Sequence, residues 1–226
     1  MRSLLILTAI DVEARGLARH LGLAPVPGAS WPHFRGGAIE VACVGLRASA
    51  LGARASSFAT PGRLIVVSAG ACGALAPALA EGALVVPEAV VTEDGERFPA
   101  TPIAGVPARG TLLTVTRVVE TAADKARLFV ETGAIACDME SAAILAWAAK
   151  HGVPAAVVRG VSDTASTGVP ADLAASVGED GRVKTVTAVR AALSRRGALR
   201  DALALRRGTT AALASVASAL ARAART

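Results

Sequence analysis

The 226-residue sequence contains no tyrosine and only six aromatic residues, two Trp and four Phe. Stacking on aromatic rings therefore cannot be the main source of affinity for a flat ligand. Cysteine is scarce as well. Cys43, Cys72 and Cys137 stand singly inside apolar stretches without CxxC spacing, and the three histidines are scattered. That pattern supports neither a disulfide framework nor a zinc site, so no metal is expected and each thiol reads as a small core residue, kept reduced in the cytoplasm. No uncharged run reaches the roughly 18 residues of a membrane span. The opening MRSLLILTAIDVEARG is apolar only briefly before Asp11 and Glu13 interrupt it, and it reads as a first strand rather than a signal peptide.

What the chain does have is 53% hydrophobic residues, ample for one α/β domain of this length. The net charge of +6 is unevenly spread: residues 185–226 hold eight Arg and one Asp, or +7, leaving −1 for everything before them. The expected organisation is a main domain over residues 1–184 followed by a basic helical extension over 185–226. An Arg-rich tail can meet nucleic acid, anionic lipid or water. It has no aromatic residue for base stacking, so nucleic acid is not the expected partner.

Along the chain, residues 4–8 are strand-like, 12–21 helical and 39–44 a second strand, while 48–59 have helical composition. Residues 64–68 form a continuous buried-strand run followed by a small-residue turn at 69–73, where backbone can approach a ligand closely. Further strand is expected at 82–91 and 112–119, with a Pro- and Gly-rich loop at 93–110. Residues 141–150 form an apolar helix ended by His151, Gly152 and Pro154, and 155–161 a buried strand. In the tail Val186, Val189 and Leu193, then Leu213, Val216 and Leu220, recur at helical spacing, with breaks expected near Gly197 and Gly208. Strands alternating with helices predict a mixed, mainly parallel central sheet flanked by helices.

The most informative stretch is ACDMESAAILAWAAKHGVPAAVVRGVSDTA, residues 136–165. It plants Glu140 at a helix start and Asp163 at the end of a buried strand, where polar groups usually serve a ligand. Here the chain resembles the nucleoside phosphorylase and nucleosidase superfamily, whose members carry Met-Glu at a helix start and Ser-Asp about twenty residues later. The resemblance implies that Met139 packs on a ribose, Glu140 binds its hydroxyls, and Asp163, beside Ser162, protonates a purine.

Three more segments extend the resemblance. AIDVEARGL is similar to the acidic segment of the hydrolytic branch, the 5′-methylthioadenosine/S-adenosylhomocysteine nucleosidases, and places Glu13 as the base that activates water. A Glu in the first turn of a helix is also favoured by the helix dipole alone. SAGACGALAP resembles the family's glycine-rich turn, with Gly70 and Ala71 presenting backbone to the substrate. Phosphorolytic relatives have an Arg and a Ser or Thr in that turn to grip phosphate, where this chain has Ser68 and Ala71. Arg47, in CVGLRAS, is the remaining candidate for an anion contact. LLTVTRVVETA resembles the segment that walls the purine, with Val118 and Val119 where relatives often place an aromatic ring. Hydrolysis is thus expected over phosphorolysis, and the acidic Asp163 beside the base points to adenine. The chemistry requires no cofactor.

The stretch GEDGRVKTVTAVRAALSRRGALRDALAL resembles the tail of hopanoid-associated phosphorylase-like proteins, which remove adenine from adenosylhopane. This implies a small-molecule or lipid-linked adenosine as substrate, a membrane surface met through the basic tail, and a cytoplasmic protein peripheral to the inner membrane face. Relatives in the hydrolytic branch are mostly homodimers. A purine nucleoside phosphorylase, a methylthioadenosine/S-adenosylhomocysteine nucleosidase and a non-catalytic purine-binding module remain open alternatives.

Overall fold

The structure, a computed structural model, describes residues 3–59, 64–169, 178–182 and 198–225. The runs Leu4–Leu7 and Ile65–Val67 are apolar on both sides because the strands they build are covered on both faces. These are β1 (Ser3–Thr8) and β5 (Leu64–Ala74), which pair in parallel. β4 (Ile39–Cys43) runs parallel along the other side of β1, and β11 (Ala155–Asp163) runs parallel along β5. The short strands β2 (Ala24–Pro25) and β3 (His33–Gly36) close the β4 edge in antiparallel fashion. Beyond β5 the sheet continues through β10 (Ala136–Asp138), β9 (Thr111–Thr114), β7 (Ala89–Thr92) and β8 (Arg97–Pro99), while β6 (Leu84–Val85) caps β11. The mixed α/β sheet expected from the sequence is thus present, with its parallel strands at the centre.

Helix α1 (Asp11–His20) packs on one face of this sheet, with α2 (Leu51–Arg54) and α4 (Ser141–Lys150) on the other and α3 (Ala122–Thr132) over β9 and β10. α5 (Ala198–Ala223) lies beside α1 on the first face, where Leu213, Val216 and Leu220 join Leu17, Val67 and Val158 in one core. Each such side chain contributes about 1.5–3 kcal/mol on burial. No helix among the described residues is long and apolar enough to cross a membrane.

Several local expectations change. The supposed turn at 69–73 is a continuation of β5, paired residue by residue with β11 from Arg159↔Gly70 to Val161↔Cys72. Only Leu51–Arg54 within 48–59 is α-helical, flanked by 3₁₀ turns. The segment 82–91 splits into β6 and β7 at Pro87, which has no N–H to give a ladder, and the 93–110 loop contains β8. The strand expected over 112–119 stops at Thr114. α5 runs through Gly208 without a break; Gly197 and the 186–193 pattern lie outside the described residues. Gly208 serves packing instead, because a β-carbon there would fall inside the Ser162 carbonyl oxygen, and one at Gly160 would lie 2.5 Å from Ala212 O. The two glycines let the helix backbone rest on β11.

Candidate active site

Glu13 occupies the third position of α1, whose start has Ile10, a residue with no capping oxygen. The Glu13 carboxylate takes over that work: Oε2 accepts from the N–H groups of Ala9 and Ile10 at 3.1 and 3.2 Å. Oε1 accepts from Ala71 N at 2.8 Å, which fixes the side chain across to β5. Gly70 makes this possible, since a β-carbon there would lie 2.5 Å from Glu13 Oε1 and 2.9 Å from Arg159 Nη1.

Glu140 stands at the head of α4. Its Oε1 accepts from Arg47 N at 3.1 Å, an N–H aimed by the left-handed backbone of Arg47 and Ala48, φ 53° and 56°. Strain of this kind in non-glycine residues persists where the surroundings over-determine it. The Arg47 guanidinium itself turns outward to Glu179 at 3.1 Å. Asp163 ends β11, where Ser162 Oγ donates to its Oδ1 at 2.6 Å and the Lys125 ammonium binds its Oδ2.

These groups share one cleft of about 520 Å³, and Ala71, Val118, Val119 and Met139 line it with Glu13, Arg47, Glu140 and Asp163. Gly70 and Ser162 stand behind the wall, the first leaving room for Glu13 and the second bonding Asp163. Leu205 and Thr209 of α5 complete the lining, with Ile10, Leu46 and Val169.

Beneath the cleft lies a residue that the sequence did not single out. Arg159 is 0% exposed, and its Nη2 lies 2.5 Å from Asp138 Oδ2 and 3.7 Å from Glu140 Oε2. The same nitrogen donates to Ser68 Oγ at 2.8 Å and Ser141 Oγ at 3.2 Å. Asp138 in turn accepts from Ser141 Oγ and Thr114 Oγ1. Burial works against the guanidinium charge, but Asp138, Glu140 and Glu13 outweigh it and raise its pKa. The only hint in the sequence is an Arg inside the otherwise apolar run 155–161.

One cation among several carboxylates has consequences for titration. Burial pushes the Glu13 carboxyl up, against the pull of Arg159 and three backbone N–H groups. Burial also pushes Glu140 up to about 8; Arg159 opposes this and the neighbouring charges of Asp138 and Glu13 add to it. The thiols of Cys72 and Cys137 on the cleft wall are raised by burial, Cys137 to about 12, so they stay protonated.

Between a glutamate's ordinary pKa of 4.5 and about 8, folded Glu140 holds a proton that the unfolded chain has released. Stability contributed by that proton is complete below the unfolded value and is lost as pH rises through the folded one. The thermal midpoint should therefore fall between about pH 5 and pH 8, and Glu140→Gln should flatten the slope, as calorimetry across that range will read.

Residues 104–196 match the family model of the phosphorylase superfamily. No curated protein matches the sequence. Among solved structures, the fold seen here is similar to that of futalosine hydrolase of Helicobacter pylori, with a TM-score of 0.70 at 17% identity over 99% of this chain and 97% of that one. It is equally similar to H. pylori 5′-methylthioadenosine/S-adenosylhomocysteine nucleosidase bound to butyl-thio-DADMe-Immucillin-A, with a TM-score of 0.70 at 17% identity over 100% and 98% of the two chains. The apo 5′-methylthioadenosine nucleosidase of Arabidopsis thaliana gives 0.68 at 17% identity over 100% and 95%.

Proposed function

We propose that this protein is a nucleosidase that hydrolyses the N-glycosidic bond of a 5′-substituted adenosine and releases adenine. The observation that carries this reading is the convergence of Glu13 with Glu140 and Asp163, from two distant parts of the chain, on one cleft. Breaking the bond leaves a cationic, oxocarbenium-like ribose, and carboxylates beside it stabilise charge that develops only in the transition state. Glu140 binds the ribose hydroxyls with Met139 packed against the sugar. Val118 and Val119 wall the base, Asp163 is the group that hands it a proton, and Glu13 takes a proton from the attacking water. The similarity in fold to methylthioadenosine nucleosidases and futalosine hydrolase supports the same class.

Hydrolysis is favoured over phosphorolysis by a specific contact. The Ala71 N–H is already taken by the Glu13 carboxylate at 2.8 Å, and Ser68 is fully buried against Arg159 and Ser141. An incoming phosphate would meet a carboxylate where it needs a donor.

The 5′ substituent is read from the apolar part of the lining: Ile10, Leu46, Val169 and Leu205. Farther along α5, Leu199 and Leu203 are 57% and 56% exposed, and Arg200 and Arg206 are exposed beside them. An apolar pair fringed by arginines supports a lipid-linked substrate such as adenosylhopane, met at an anionic bilayer where each Arg is worth roughly 1 kcal/mol.

The test is adenine release from adenosine, methylthioadenosine and a 5′-alkyl adenosine in detergent, each with and without phosphate. Phosphate-independent release that is fastest from the alkyl substrate is the expected result. Preference for methylthioadenosine removes the lipid reading, strict phosphate dependence makes the protein a phosphorylase, and no release from any substrate leaves a purine-binding module.

A further inference from the structure

Lys125 has no part in the chemistry above, yet it is among the largest fully buried side chains of the protein, 1% exposed. It belongs to the first half of α3 and reaches the end of β11, where its ammonium donates to Asp163 Oδ2 and, at 2.8 Å, to Thr164 O. The strand beside it makes room: a β-carbon at Gly73 would lie 3.0 Å from Asp163 Oδ2 and 3.6 Å from Lys125 Nζ. An ammonium taken out of water is costly unless it is paired and hydrogen-bonded, and an apolar side chain of similar length would fill the same space. What distinguishes lysine here is its proton.

Asp163 accepts on both oxygens, from Ser162 Oγ at Oδ1 and from Lys125 at Oδ2. Each oxygen of the carboxylate thus has a proton donor beside it. Of its two donors, an ammonium is a far stronger acid than a serine hydroxyl.

We propose that Lys125 is a positioning residue that orients the Asp163 carboxylate and stores the proton it delivers to the leaving base. This rests on the nucleosidase reading. As the bond from C1′ to the base nitrogen breaks, its electron pair stays with the purine. Lys125 Nζ passes a proton to Asp163, Asp163 passes one to the base, and Lys125 is left as a neutral amine. On the other side of the sugar, water adds its oxygen to C1′ and loses a proton to Glu13. One proton enters at Glu13 and one leaves at Lys125, and exchange with solvent after product release restores both.

The experiment compares native protein, Lys125→Met and Lys125→Arg on two substrates: the best adenosine substrate, and a 4-nitrophenyl riboside whose leaving group departs as a stable anion without a proton. The expected result is a loss of about 10²-fold or more in adenine release by Lys125→Met, with nitrophenolate release nearly unchanged. Arginine keeps the charge but does not surrender a proton, so Lys125→Arg should stay impaired on adenine alone. The ratio of the two rates within one preparation does not depend on how much of the variant is folded. Equal losses on both substrates, or no loss on either, would overturn the proposal while leaving the nucleosidase reading in place. Full recovery in Lys125→Arg would overturn the proton store. Native protein that cleaves neither substrate would remove the nucleosidase reading and this inference together.

Discussion

Asp163→Asn should lower adenine release by about 10²–10⁴-fold, the usual worth of a general acid, and should also cost stability, because the buried Lys125 ammonium loses its counter-charge. The amide fits the hydrogen bonds already present. Its oxygen can accept from Lys125, and its NH₂ can face Ser162 Oγ, whose hydroxyl accepts as well as donates. What the amide cannot do is carry a proton to the base. Release kinetics alongside a thermal melt separate the two effects, and a variant that turns over at the native rate would remove Asp163 from the mechanism. Glu13→Gln is a less clean probe, because Oε1 and Oε2 both accept from backbone N–H groups and one end of an amide would then meet a donor.

The second large effect concerns the seam between α5 and β11. Gly208→Val should cost about 3 kcal/mol or more, the upper range for forcing extra volume into a packed core, since the new side chain would meet the Ser162 carbonyl rather than a yielding side chain. Activity should fall with stability, because displacing α5 withdraws Leu205 and Thr209 from the cleft. Gly52→Ala is the control. Nothing lies within 4 Å of the added carbon there, and the change should be neutral or stabilising by about 0.4–1 kcal/mol. Urea unfolding of the two variants measures the difference, and a Gly208→Val protein as stable as the native one would mean that the helix does not need this contact.

Much of the fold was legible because its periodicity is strong. β1, α1, α4 and β11 lie where the apolar patterns put them; Glu140 and Asp163 stood out by their places at a helix start and a strand end, and Met139 was named through the family resemblance. α3 carried a signal that went unread: Thr121 accepts from Asp124 N at 3.0 Å, and Gly133 closes the helix in the left-handed conformation. A Thr-x-x-Asp start and a Gly stop are both visible in TAADKARLFVETG. Arg159 and Lys125 were not legible in the same way. Lysine and arginine in a strand or helix ordinarily extend to solvent, and what buries these two is the arrival of partners from other segments: Asp138 and Glu140 for one, Asp163 for the other. The β5 continuation was missed for a related reason. Small residues in sequence suggest a turn, whereas here they leave room for the side chains of Glu13 and Arg159 to lie on the strand.

The cleft draws its carboxylates from residues 13 to 163 and its last wall from α5, which packs directly across β11. During synthesis Glu13, Glu140 and Asp163 all emerge from the ribosome before Leu205 and Thr209 do. The same helix covers the apolar face of β5 and β11, so the wall of the cleft and the closure of the core arrive together.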